Sequence, residues 1–229
     1  MQIMSFKEAR RMLELYPSLS FRDKLAILAR LIFCIRPIME VLEHNLPKRG
    51  LVLDLGCGYG IISHLVSASH PERSVVGVDL SSRRIEVAKK SVDHSENVKF
   101  YAADIREVQT PRCDATIMID VLYMFPYRDQ ERILSRCYEN LRDNGVLIVK
   151  DNSKSPYWKY AYAHVEDVVK TKLGVYGREI RKNSLWYWDV QDFLKLLSKI
   201  GFHATMLPLK SLLPYPGVFY ICRKPSFQE

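Results

Sequence analysis

Four aspartates stand where this sequence can do chemistry: Asp54, Asp79, Asp104 and Asp120, each closing a short apolar run. Carboxylates at such places accept hydrogen bonds from hydroxyls and amines and attract cations. The first runs into a glycine-rich turn, Leu51-Val52-Leu53-Asp54-Leu55-Gly56-Cys57-Gly58-Tyr59-Gly60. Glycines there let the backbone approach a ligand closely and adopt positive φ. A dinucleotide fingerprint beginning at Gly56 requires a glycine at position 61, where Ile61 stands. Asp54 itself suits a cationic ligand better than a pyrophosphate. Asp79 stands where an acid accepts from both hydroxyls of a ribose. Taken singly, each of these acids reads as a helix cap or a solvated turn residue. Four in register with a glycine turn are seldom coincidence.

The elements that must position these acids follow from hydrophobic period. Leu51–Leu53, Ser74–Val78, Val98–Ala102, Ala115–Ile119 and Val146–Val149 read as short buried strands. Helical stretches separate them, one running from the glycine turn through about Ser67 and one capped by Ser81 or Ser82 through Lys90. A third opens at Asp129, carries Ile133, Leu134, Tyr138 and Leu141, and is expected to end at Asn144-Gly145. Near-continuous apolar strands alternating with helices imply an α/β fold, a parallel sheet covered on both faces. Asp189 and Asp192 start a further helix that Gly201 stops. The closing strands, around Ala204–Leu209 and Val218–Cys222, are expected to pair antiparallel at an edge.

Residues 50–151 resemble the core of the class I S-adenosylmethionine-dependent methyltransferases, whose D-x-G-x-G signature Asp54–Gly58 matches. Adenosylmethionine brings an ammonium and a sulfonium and no phosphate, in keeping with Asp54. The resemblance implies a Rossmann-like, mostly parallel sheet with helices on both faces and an antiparallel final strand. It also implies roles. Gly56 and Gly58 border the methionine moiety, and Asp54 helps hold its amino group. Asp79 takes the ribose hydroxyls with Leu80 packed on the adenine. Asp104 accepts from the adenine amino group with Ile105 beside the ring, and Asp120 contacts the methionine end. Tyr123 points toward the methyl group. The chain then reads as one domain, 1–229. Within it, 1–49 is an N-terminal helical cover, 50–151 the cofactor core, 152–188 a substrate lid, and 189–229 the last helix and strands.

The acceptor is narrowed by exclusion. Asp120-Val121-Leu122-Tyr123-Met124-Phe125-Pro126 is not the N/D-P-P-Y/F motif of enzymes that methylate exocyclic base amines or glutamine amide nitrogen. No cysteine follows the fourth or fifth strand to attack a pyrimidine ring. The expected lid holds all three tryptophans, 158, 186 and 188, and five of the thirteen tyrosines. Trp158, Tyr162, Val165, Val169 and Leu173 recur at helical spacing. Most of these aromatics read as packing; two or three facing a pocket would stack on an apolar substrate or hold a cation. His164 is the candidate general base, together with Tyr123 the catalytic candidates of this sequence.

The N-terminal region carries two apolar stripes, Leu25, Leu28, Ile32, Ile35, Met39, Leu42 and Ile27, Leu31, Cys34, Ile38, Val41. Pro37 is expected to divide it into two helices. Residues 1–49 hold nine Lys and Arg against five Asp and Glu, and 152–188 seven against three, while 50–151 hold thirteen against fifteen. The net charge of +8 therefore lies outside the cofactor core. Five scattered cysteines without C-x-x-C spacing read as free thiols of a reducing compartment, and no metal site is spelled out. The reading is a cytoplasmic enzyme that methylates a small or amphiphilic acceptor, a lipid or lipid precursor included. Peripheral contact with an anionic membrane belongs to the same reading. RNA or protein methylation is the alternative, which the basic pI of about 9.2 permits, and a non-catalytic binding module is the third class.

Overall fold

The computed structural model describes residues 6–91, 97–154, 185–209 and 217–226. Their strands follow the order β3-β2-β1-β4-β5-β7-β6, and two compact units divide the chain at Ile117/Met118.

The first unit begins with α1 (Phe6–Glu14), α2 (Phe21–Phe33) and α3 (Ile35–Asn45). Ser20 caps α2: its hydroxyl accepts from the Asp23 amide at 3.1 Å and donates to the Asp23 carboxylate at 2.7 Å. The break between α2 and α3 falls at Cys34. Pro37 lies in the first turn of α3, where its missing N–H costs nothing, so it starts a helix as it divides the region. Of the two apolar stripes, Ile27, Leu31, Ile35, Ile38 and Leu42 go inward, whereas Leu25 is exposed. Then come β1 (Gly50–Leu55), α4 (Ile61–Ser69), β2 (Arg73–Asp79), α5 (Ser82–Ser91), β3 (Val98–Ala102) and β4 (Cys113–Ile119). β1 pairs in parallel with β2 and β4, and β2 with β3. Arg73 is wholly buried; its guanidinium donates to the carbonyls of Pro47 and Val66 and to Glu43, tying α3 and α4 to β2.

The second unit holds a short 3-10 turn (Leu122–Met124), α6 (Tyr127–Asn140), β5 (Leu141–Asn152), α7 (Val190–Ile200), β6 (His203–Pro208) and β7 (Gly217–Arg223). β7 pairs antiparallel with both β5 and β6, which meets the expectation of a final antiparallel edge. Asp189 and Gly201 cap α7 as their types predict. The end of α6 differs from expectation. The helix stops at Asn140, not at Asn144-Gly145, because the buried Lys224 ammonium donates to the carbonyls of Tyr138 and Leu141 at 2.9 and 2.8 Å. A cation at the carbonyl end satisfies groups that another helical turn would otherwise occupy. Asn144 instead takes a left-handed conformation, φ 61°, on the way into the paired part of β5.

Candidate active site

The glycine turn of the first unit is pinned to the end of β2. The amides of Gly56 and Cys57 both donate to the Val78 carbonyl, at 2.7 and 3.0 Å. The Gly58 amide donates to Asp79 Oδ2 at 2.9 Å, while Asp79 Oδ1 accepts from the Ser81 amide at 3.0 Å. Gly58 has φ 58°, and a Cβ there would meet nothing within 4 Å, so open space lies beside the turn. At Gly60, φ 74°, a Cβ would strike the Phe100 ring at 2.4 Å. That ring also fills the space at Gly77, which supports the turn from β3.

Asp54 is 2% exposed and accepts a 2.5 Å hydrogen bond from Ser63 Oγ, a hydroxyl in the first turn of α4. Burial pushes its carboxyl up to about 7; the Ser63 bond pulls down and the neighbouring Asp79 charge pushes up. The N-terminal helices reach this neighbourhood electrostatically, since Arg30 of α2 lowers the same carboxyl and Asp23 acts on Tyr59. Leu80 is half exposed and Ile105 buried. Asp104 is committed to Arg106, accepting from its backbone amide at 2.9 Å and from its guanidinium through both oxygens.

The second unit carries its own constellation. Asp120 has φ 57°, outside the usual range of a non-glycine residue, and its carboxylate pairs closely with the Lys150 ammonium. Its amide donates to the Lys150 carbonyl at 2.8 Å, so β5 holds the loop from both sides. Next on β5, Asp151 lies 8% exposed in a cleft lined by Tyr123, Asn152, Trp186, Tyr187, Trp188, Phe193 and Tyr220. Burial first, then the Asp120 charge, raises the Asp151 carboxyl well above its ordinary value. Lys150 and the amides of Tyr123 and Val121 oppose that rise.

Residues 185–188 are held to this wall by α6. Gln130, fully buried, donates to the carbonyls of Phe125 and Trp186 and accepts from the Trp188 indole at 2.7 Å. The Tyr127 hydroxyl donates to the Tyr187 carbonyl at 2.7 Å. Tyr123 stacks on Tyr187 with ring centroids 4.9 Å apart. His164 and the predicted helix from Trp158 to Leu173 lie outside the described residues, as does most of the expected lid.

Residues 52–145 match the family model for the methyltransferase domain. The carboxy-S-adenosyl-L-methionine synthase of Helicobacter pylori (strain HPAG1) is 28% identical over 181 residues, covering 72% of this chain and 73% of that protein. A ubiquinone biosynthesis O-methyltransferase of Coxiella burnetii (strain RSA 331) is also 28% identical, covering 77% of each. These findings support a class I S-adenosylmethionine-dependent methyltransferase. Solved structures agree on the fold of this methyltransferase. An O-methyltransferase family protein from Burkholderia thailandensis superposes with a TM-score of 0.70 at 15% identity. That likeness covers 94% of the methyltransferase but only 63% of the longer Burkholderia chain. Human N-acetylserotonin methyltransferase, solved with its S-adenosylmethionine, gives 0.67 at 17% identity, over 96% of this chain and 66% of that one.

The residues of the methyltransferase fit the cofactor it uses. Two buried carboxyls, Asp54 and Asp79, flank a glycine turn with open space beside Gly58, and an exposed Leu80 adjoins Asp79. An ionised carboxylate offers about four lone-pair sites, so Asp79 keeps capacity for a ribose after its two backbone bonds. Asp104 keeps less, since Arg106 already engages both of its oxygens. Sequence reasoning had no signal for Lys150, Asp151, Asn152 or Tyr220, whose importance arises only once β5 pairs with β7. It did single out Trp186, Tyr187 and Trp188 among the aromatics.

Proposed function

We propose that this methyltransferase acts on a small-molecule acceptor, with the aromatic cleft of the second unit as the acceptor site. The cleft carries the reading: flat ring walls around a few polar atoms are the usual make-up of a small-molecule pocket. A relative whose name places it in ubiquinone biosynthesis as an O-methyltransferase supports the same class. Bound S-adenosylmethionine supplies a methyl carbon already activated by the sulfonium for in-line displacement. The protein's work is then to orient and to exclude water. Asp54, Gly56 and Gly58 would hold the methionine end, Asp79 the ribose, and Leu80, Ile105 and Asp104 the adenine. Incubation with methyl-labelled cofactor and separate small-molecule, lipid, RNA and protein extracts tests the proposal. Label is expected in a small-molecule or lipid fraction. Label confined to RNA or to protein overturns it.

An amphiphilic acceptor has one specific observation in its favour. Phe6, Leu15, Phe21, Leu25 and Phe33 are exposed on or beside α1 and α2, interleaved with Arg10, Arg11, Arg22 and Lys24. Apolar and basic side chains so mixed suit an anionic lipid surface, each basic residue contributing about 1 kcal/mol. Sedimentation with phosphatidylserine vesicles at low salt is expected, weakened by salt and by Phe21→Ser with Leu25→Ser. No sedimentation at low salt removes the amphiphile from this reading and leaves the small molecule. Among the described residues, no helix is long and apolar enough to cross a membrane.

A further inference from the structure

Among the described residues, the second unit buries two oxygen atoms without a hydrogen-bond partner, Asp151 Oδ1 and Asn152 Oδ1. Both residues line the aromatic cleft, and Asp151 is more than nine-tenths buried. Native proteins seldom leave buried polar atoms unpaired, because nothing replaces the water they give up. Such atoms stay where a ligand completes them. Both orphans are acceptors, so the missing partner is a donor.

The surroundings say what kind of donor. Tyr123 stacked on Tyr187, Trp188 tilted against Phe193 at 5.9 Å, and Phe193 edge-on to Tyr220 at 4.5 Å make walls of ring faces and edges. A flat apolar frame packs against them better than a branched or charged one. The charged and titratable groups facing Asp151 are Asp120 and Lys150 from the adjoining loop and strand, and Tyr220 from β7, which also feels Asp189. Lys150 is bound closely to Asp120, so among the described residues Asp151 has no counter-ion of its own. Two carboxyls in the neighbourhood also oppose an anionic ligand.

We propose that Asp151, with Asn152 beside it, is the acceptor-binding group of this enzyme and takes a small ring-bearing molecule through an O–H or N–H donor. The inference rests on the small-molecule reading above and narrows it. Asp151 here positions the group to be methylated; the donor hydrogens of that group complete the two orphaned oxygens.

The test uses the full chain and four probes: catechol, its dimethyl ether, phenethylamine and phenylacetate. Binding is read by ligand-observed NMR, with S-adenosylmethionine affinity measured alongside by calorimetry. Catechol or phenethylamine is expected to bind about tenfold or more tightly than the dimethyl ether, which has the frame without the donor. Catechol alone assigns an O–H donor and phenethylamine alone an N–H donor. In Asp151→Leu that preference is expected to vanish while cofactor affinity stays within about twofold. If Asp151→Leu no longer binds the cofactor, Asp151→Asn decides, with donor probes expected to weaken about fivefold as an amide replaces the carboxyl. The proposal is overturned if the dimethyl ether or phenylacetate binds wild type as well as the donors do. Failure of both donor probes to bind, or survival of the preference in the deciding variant, overturns it equally. Small-molecule turnover that persists without Asp151 sinks this inference alone, whereas labelling of RNA or protein only sinks the reading beneath it.

Discussion

At Asp79 a single carboxylate has two employments. One oxygen holds the Gly58 amide in the glycine turn and the other the Ser81 amide at the start of α5. The family resemblance adds the ribose hydroxyls. Asp79→Ala is therefore expected to weaken S-adenosylmethionine about ten- to a hundredfold in calorimetry, through lost hydrogen bonds and a loosened turn together. Unchanged affinity would remove Asp79 from the site. Asp54 makes a prediction of a different kind, in pH. Its carboxyl rises from an ordinary value of 3.8 to about 7 on folding. The folded free protein thus holds a proton that the unfolded chain releases, and its stability falls as pH rises from 3.8 toward 7. A bound ammonium favours the ionised form, so the cofactor restores what the free protein loses. The cofactor-induced rise in Tm should be larger at about pH 8 than at about pH 6, and Asp54→Asn should flatten the difference. Equal rises at both pH values in the wild type would show that Asp54 does not face the cofactor's charge.

At the scale of elements, what is locally written was legible and what depends on distant partners was not. β3 occupies the residues its pattern marks, 98–102, and α7 runs between the caps that Asp189 and Gly201 supply. The Asp54–Gly60 turn was readable because glycine spacing and an acid at a strand end are features of a few adjacent residues. The end of α6 was misread because Asn144-Gly145 is a good local stop signal, yet Lys224 ends the helix earlier from 86 residues beyond Tyr138. Asp151 was unreadable for the same reason: an acid at the end of an apolar run says nothing of the Tyr220 and Trp188 that will enclose it. Lys224→Met tests the account of α6. It keeps the aliphatic stem but removes the donor to two carbonyls, and should cost about 1–3 kcal/mol in urea denaturation. A loss under about 0.5 kcal/mol would mean that α6 ends there for reasons of its own.

At the scale of the whole molecule, two points far apart in the sequence meet in the second unit. The amide of Lys154 donates to the carbonyl of Trp188 at 3.1 Å, and Lys154 Nζ donates to the Tyr127 hydroxyl that also holds Tyr187. Residues 154 and 188 are thus tied to one another, with Tyr127 of α6 holding Lys154 and Tyr187 beside them. Replacing 155–184 by a short glycine-serine linker is expected to leave cofactor affinity within a few-fold and the fold intact by circular dichroism, while turnover is lost. An unfolded product would assign the segment to the core. A tie of this kind has a bearing on how such enzymes diversify. Closing a loop costs free energy that grows only with the logarithm of its length, about 0.6 kcal/mol for each doubling. With residues 154 and 188 already tied together, a change in the number of residues between them adds little to that cost. Variants of this chain that differ in length between these two residues are expected to keep the glycine turn and its acids unchanged.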